Sequence, residues 1–337
     1  MGEASFWLPV AWAGLIGAAV AIYVILDGFD LGVGILFFRF RREEERDQLM
    51  NSVAPFWDGN ETWLVLGGSG LFVAFPLAYG IIMPALYIPL IVMLLALVFR
   101  GVAFEYRWIA KPRQLVWDYA FAGGSVVAAF CQGLVLGGLL DGIAVQDGAY
   151  AGGPVDWLTP FSLFVGAAAV AGYGLLGATW LVMRLEGELA ARARGYARVL
   201  LVAVLAAMLV VSVWTPLADE RIFARWFTFP NIAFLAPVPL ATAIVAFVCW
   251  RALGIGREAM PFIASVVLFL LGYGGLVISN VPYLVPPTLT IWEAAAAPST
   301  QIFMLIGTAA LLPVILGYTA FVYWTFRGKV RQGEGYH

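Results

Sequence analysis

Charge, histidine and cysteine are what this sequence has least of. Of its 337 residues only 12% are Asp, Glu, Lys or Arg, about half the ~25% usual in a soluble domain. With 62% of residues apolar or aromatic and a mean hydropathy of +0.90, a soluble globular enzyme and a disordered chain are both excluded. A net charge of −2 gives no basic field for a polyanion, which excludes a nucleic-acid binder. The one histidine is His337, so no apolar run contains an imidazole. Cys131 and Cys249 each fall inside an apolar run and read as small buried hydrophobes rather than a disulfide or metal pair. There is no Cys-x-x-Cys and no dinucleotide fingerprint.

What remains suits a lipid bilayer, where a crossing helix needs about 20 mostly apolar residues. On that length the chain divides into about nine spans, near 8–38, 50–75, 79–99, 117–139, 158–183, 198–216, 231–250, 260–280 and 302–326. The connections are too short for a soluble domain, so residues 1–337 read as a single all-α membrane bundle. The first span does not read as a signal peptide, because it lacks a basic leader and runs too long.

Of the 19 basic residues, all but Arg221 and Arg225 fall in the first, third, fifth and seventh connections and the C-terminal tail. These include Arg39, Arg46, Arg100, Arg107, Lys111, Arg184, Arg192, Arg251, Arg257, Lys329 and Arg331. The positive-inside rule then places the N-terminus outside and the C-terminus in the cytoplasm. The outer connections 217–230 and 281–300 are rich in Pro and aromatics, which reads as an interfacial aromatic belt or as a cover over a partner's outward-facing site.

Ionised carboxylates inside a span cost ~2.5–3.5 kcal/mol or more, so each needs a reason. The first span carries Asp27 and Asp30, the second Asp58 and Glu61, each pair in an Asp-Gly-x-acid pattern. Acids at i and i+3 share a helix face. The first span descends and the second ascends, so the two pairs fall at similar depth in the cytoplasmic half. Four carboxyls so placed cannot all ionise, and a ladder that shares protons is what proton transfer into a membrane requires. Asp58-x-x-Glu61 also fits a capping box. Glu105, near Arg100 and Arg107, reads as an interfacial ion pair or as a proton-uptake residue. Asp118 reads as an acid favoured at a helix N-terminus. The spacings Gly28/Gly32 and Gly133/Gly137 suit close helix approach. With no histidine in a span, a His-ligated haem has no site here, and any redox cofactor belongs mainly to a partner.

The segments Leu-Asp-Gly-Phe-Asp-Leu-Gly-Val-Gly (26–34), Pro-Phe-Trp-Asp-Gly-Asn-Glu-Thr-Trp-Leu (55–64), Arg-Gly-Val-Ala-Phe-Glu (100–105) and Leu-Thr-Ile-Trp-Glu-Ala-Ala (289–295) resemble subunit II of the cytochrome bd-type quinol oxidases. The Val-Pro-Pro-x-Leu-Thr-Ile-Trp form is most similar to the cyanide-insensitive branch. The resemblance implies a bacterial cytoplasmic-membrane enzyme that oxidises quinol and reduces dioxygen to water without pumping protons. It implies a partner, subunit I, that carries haems b and d, and it allows a small third subunit and a structural quinone. Asp58 and Glu61 map onto the family's Trp-Asp-Gly-x-Glu motif, near a cytoplasmic proton route. This chain's expected part is support of subunit I and a share of that route through Asp58, Glu61, Asp27, Asp30 and Glu105, with no activity alone. A proton-coupled secondary transporter is the alternative. It sits poorly with acid motifs in adjacent spans and no repeat across the two halves.

Overall fold

The computed structural model describes residues 3–110 and 113–330, so Lys111, Arg331 and His337 lie outside the described residues. The chain folds into α1 (Glu3–Leu36), α2 (Glu43–Asn51), α3 (Trp57–Ala74), α4 (Pro76–Ala85), α5 (Tyr87–Ile109), α6 (Gln114–Leu140), α7 (Pro160–Arg184), α8 (Gly187–Ala218), α9 (Glu220–Phe227), α10 (Asn231–Leu235), α11 (Pro237–Gly254), α12 (Met260–Asn280) and α13 (Pro298–Thr325). Among the described residues eight segments are long and apolar enough to cross a membrane: α1, α5, α6, α7, α8, α10–α11, α12 and α13.

Two expected spans fall differently. The stretch 50–75 breaks at residues 52–56 into the end of α2 and the 18-residue α3, whose first turns carry the polar Asp58, Asn60 and Glu61. The stretch 79–99 covers most of α4 and the first half of α5. Pro76 starts α4, the chain turns at Leu86, and Pro89 falls in the first turn of α5, where a missing amide proton costs no intrahelical bond. The prolines thus set α5 later than the apolar run suggests, and Arg100 and Arg107 lie within a helix rather than in a connection.

Lipid tails are as apolar as leucine, so helices in a bilayer associate by close packing of small residues more than by hydrophobic drive. The centre of this bundle follows that rule. A Cβ on Gly32 of α1 would lie 1.9 Å from the Tyr173 carbonyl oxygen of α7, and one on Gly177 would lie 2.2 Å from the Gly32 carbonyl carbon. The two backbones touch there. Gly133 and Gly137 of α6 meet α7 at Val165–Gly166 and Ser162 in the same way, with Cβ contacts of 2.5 and 2.4 Å. Between the same two helices Phe29 stacks on Trp180 with centroids 4.1 Å apart. α3 and α13 join α1 on one flank, α5 packs on α6, and α8, α11 and α12 extend from α7.

Two short hairpins cap one end. β1 (Val145–Gln146) pairs with β2 (Ala149–Tyr150) through Asp147 and Gly148, both at positive φ, as a two-residue hairpin turn demands. β3 (Tyr283–Val285) pairs with β4 (Leu289–Thr290). The Glu293 carboxylate accepts from Thr290 N at 2.9 Å and Thr290 Oγ1 at 2.7 Å. These bonds, the backbone one first, hold its carboxyl below the usual glutamate range.

Candidate functional site: an acid cluster on one guanidinium

Asp27 and Asp30 are fully buried, one turn apart on the face of α1 that meets α3 and α5. Glu61 reaches the same point from α3 with 25% of its side chain exposed. The sequence places these three acids at one depth, and the structure brings them together. What gathers them is Arg100 of α5, itself fully buried. Its Nη1 lies 2.8 Å from Asp27 Oδ1 and 2.8 Å from Glu61 Oε1, and its Nη2 lies 3.8 Å from Asp30 Oδ2. The expectation that Arg100 sits in a basic connection is therefore corrected: it is the counter-ion at the centre of the cluster.

The packing around Arg100 explains how a helix delivers it there. A Cβ on Gly124 of α6 would meet Ala96 O at 2.6 Å and Arg100 Cβ at 3.2 Å, so only a glycine lets α6 press α5 inward at this level. Trp57 lies over Gly101 and stacks on Phe104 at 4.8 Å, which fixes the start of α3 against α5.

Asp30 has further partners. Asn60 Nδ2 donates to Asp30 Oδ2 at 2.6 Å and to Leu26 O at 3.3 Å, while Tyr323 Oη of α13 donates to Asn60 Oδ1 at 2.9 Å. Asn60 is the middle residue of the acid motif that sequence reasoning passed over; its signal was an amide in an otherwise apolar face. Three carboxylates on one guanidinium leave two uncompensated negative charges if all ionise. In a low-dielectric interior that is costly unless protons are shared.

Asp58 and Glu105 do not join this cluster. Both are exposed, and the Trp57–Phe104 stack sets the turns that carry them side by side at the edge of the site. The capping-box reading of Asp58 is corrected as well. Phe56 is the N-cap residue of α3 and makes no side-chain cap bond. Glu105 makes no ion pair with Arg100 or Arg107, because both arginines point into the bundle from the opposite face of α5.

A second buried ionic group lies nearer the helix ends. Arg107 Nε meets Asp118 Oδ1 at 2.6 Å and its Nη1 meets Asp47 Oδ1 at 2.6 Å, while Arg46 Nε lies 3.1 Å from Asp118 Oδ2. Asp118, read as an acid favoured at a helix N-terminus, is buried in this network. α6 begins at Gln114 rather than at 117, which carries Asp118 into its second turn.

These features define a polytopic helical membrane protein that buries an ion-paired carboxylate cluster among its first helices. The chain belongs to the cytochrome bd terminal oxidase subunit II family, whose sequence pattern matches residues 8–326. It is 30% identical over 367 aligned residues to cytochrome bd-I ubiquinol oxidase subunit 2 of Escherichia coli K12, covering 97% of this chain and 96% of that one. Cytochrome bd ubiquinol oxidase subunit 2 of Bacillus subtilis 168 is 28% identical over 340 residues, covering 96% and 97%. In fold the chain is similar to a chain of the bd oxidase from Geobacillus thermodenitrificans, with a TM-score of 0.78, 17% identity and coverage of 95% and 99%. The chain is thus a multi-pass protein of the bacterial inner membrane and part of an oxidoreductase complex of the respiratory chain. Family membership also displaces the secondary-transporter alternative.

That family implies haems in the complex, and the donor set among the described residues does not fit a His-ligated one. Haem iron takes His, Cys, Met or Tyr as axial ligands, and among the described residues there is no histidine and no His/Cys/Asp/Glu group spaced for a metal. Cys131 and Cys249 are both buried and unpaired, on separate helices, and the Cys249 thiol donates to Pro261 O at 3.7 Å.

Proposed function

We propose that this chain serves a quinol:dioxygen oxidoreductase by supporting a haem-bearing subunit I and by carrying cytoplasmic protons toward it. The observation that carries this reading is the cluster on Arg100. Asp27 and Asp30 are sealed from solvent while Glu61, bonded to the same guanidinium atom as Asp27, is partly open. A proton arriving at Glu61 has Asp27 and Asp30 within the reach of one shared cation, and each passage only redistributes charge around Arg100. Asp58 and Glu105, exposed at the edge of the site, serve as the outer acids that feed Glu61. The reaction of the whole complex, quinol oxidation coupled to reduction of dioxygen to water, needs protons from one side of the membrane. A buried, proton-sharing carboxylate group supplies that step.

The sidedness of the basic residues supports a cytoplasmic position for the site, with the N-terminus outside. Arg192 donates to Arg39 O at 2.8 Å, Arg198 to Leu253 O at 3.0 Å and Lys329 to Leu185 O at 3.2 Å. The first, fifth and seventh connections and the C-terminal segment therefore share one face. α8, α11 and α13 bury little of their apolar surface within the chain, which leaves faces for subunit I, a small third subunit and lipid. The chain alone has no activity in this reading.

The test is oxygen consumption by the purified complex carrying Asp27→Asn or Glu61→Gln. Turnover falls in both while the reduced-minus-oxidised haem spectrum is unchanged. Loss of haem in both variants, with turnover per haem unaltered, would make the acids structural and overturn the proposal.

A further inference from the structure

The acid cluster does not end at Asp27. Tyr23 stands one helical turn before it on the same face of α1, and is buried. From Tyr23 a hydrogen-bond chain crosses three helices. Gln132 Nε2 of α6 donates to Tyr23 Oη at 2.7 Å, and Tyr173 Oη of α7 donates to Gln132 Oε1 at 2.6 Å. Tyr173 is buried too, pressed between Gly28 on α1 and the Phe269 ring on α12, which it stacks at 6.0 Å. None of these three side chains carries a formal charge, and nothing in the acid-ladder argument requires them.

The chain has a direction. A glutamine amide donates only from nitrogen and accepts only at oxygen. Tyr173 spends its proton on Gln132 Oε1, and Gln132 spends one of its own on the Tyr23 oxygen. The Tyr23 proton is left over, and the adjacent acceptor is Asp27, whose Oδ2 is buried with no hydrogen-bond donor. The reverse orientation of the amide would make Tyr23 donate to Gln132 and leave both the Tyr173 proton and Asp27 Oδ2 without a partner. Buried polar groups are rarely left so.

We propose that Gln132 is a positioning residue: it orients Tyr23 to donate to the Asp27 carboxylate, so that the shared proton of the cluster resides on Asp30 or Glu61. The proposal deepens the proton-transfer reading by assigning the proton within the site. Charged and titratable groups reach Asp27 from the elements packed around it: Arg100 from α5, Glu61 from α3, Asp30 and Tyr23 from α1, Tyr173 from α7 and Tyr323 from α13. Asn60 donates to Asp30, and Gln132 sets where the Tyr23 proton points. No bond is made or broken at Tyr23, whose proton stays on its oxygen.

The experiment is redox-difference infrared spectroscopy of the purified complex in the carboxylic-acid C=O region, with oxygen consumption measured against pH. The samples are the wild type, Gln132→Leu, Tyr23→Phe, Tyr23→Phe/Gln132→Leu, Asp27→Asn and Gln132→Leu/Asp27→Asn. In the wild type the protonated-carboxyl signal survives Asp27→Asn. In Gln132→Leu a further signal arises that Asp27→Asn removes. The pH dependence of turnover moves upward by about one unit, a tenfold change in proton affinity, and by the same amount in Tyr23→Phe and in the double variant, because all three lose one hydrogen bond. Tyr23→Phe removes a single oxygen and so keeps the test alive if Gln132→Leu assembles poorly. A wild-type carboxyl signal lost in Asp27→Asn overturns the assignment, as do additive shifts or an unmoved pH profile. If the infrared signals behave as stated while acid substitutions leave turnover intact, the proton-transfer reading fails and this one stands.

Discussion

Arg100 and Asp27 form an ion pair 2.8 Å long in which neither side chain is exposed at all. A buried pair of this kind is weak support for stability in itself, but breaking it from one side is severe, because the remaining charge has no water to turn to. Here the groups left behind would be three carboxyls with no cation to share.

Arg100→Gln is therefore expected to cost about 3–5 kcal/mol, read as loss of assembled complex from membranes. Arg100→Lys keeps the charge but loses the fork that meets Asp27 and Glu61 from one nitrogen and Asp30 from the other, so its complex assembles and shows a lower melting temperature. Asp27→Asn is milder than either, since it removes charge from an over-acidic site. Equal stability of Arg100→Gln and wild type would show that the guanidinium does not hold the cluster.

The α1–α7 seam makes a sharper packing prediction. Gly32→Ala places a methyl 1.9 Å from a carbonyl oxygen, and overpacking of this sort costs about 1–3 kcal/mol or more when backbone must move. Gly14→Ala, with nothing within 4 Å, is the matched control and is neutral. Thermal unfolding of the two complexes, followed by intrinsic fluorescence, separates them. Equal melting temperatures would contradict the seam.

Asp118→Ala leaves Arg107 buried with Asp47 as its remaining acid partner. It is expected to lower the stability of the complex by several kcal/mol while leaving the pH profile of turnover per haem unchanged, because this network sits apart from Asp27 and Asp30. A changed pH profile would join the two ionic groups into one path.

Much of the site was legible in the residues. The i, i+3 spacing in two antiparallel apolar runs placed Asp27, Asp30 and Glu61 together, and the glycine spacings marked the helix seams. Arg100 was hidden by a rule that works elsewhere: basic residues at the end of an apolar run are counted as connection. The prolines that end α4 and open α5 shift the helix by several residues and carry Arg100 inside. Asp118 moved inward for the same reason when α6 began early. Asn60, Gln132 and Tyr323 carried no signal beyond being polar in apolar company, since hydrogen-bond partners on other helices leave no mark on local periodicity. Asp58 and Glu61 looked alike in sequence, and only the helix start at Trp57 turns one outward and the other in.

The clasp of the β3–β4 hairpin gives a pH prediction outside the membrane. Glu293 is held below the usual glutamate range by its bonds to Thr290. The stabilisation is present above the ordinary glutamate value and is lost as pH falls through the lowered one. The protection of residues 283–293 against hydrogen exchange, taken relative to the intrinsic rate at each pH, falls on acidification, and Glu293→Gln shows the lower protection at neutral pH. Exchange in the variant equal to wild type at neutral pH would show that the clasp contributes nothing.

The central claim is that protons reach the partner's chemistry through the carboxylates gathered on Arg100. Its most direct test is a single turnover of the fully reduced complex with dioxygen, following haem oxidation and proton uptake with a pH dye together. In Asp27→Asn/Asp30→Asn with full haem content, proton uptake is predicted to slow and to hold back the last phase of haem oxidation. Proton uptake at the wild-type rate in that variant would contradict the account.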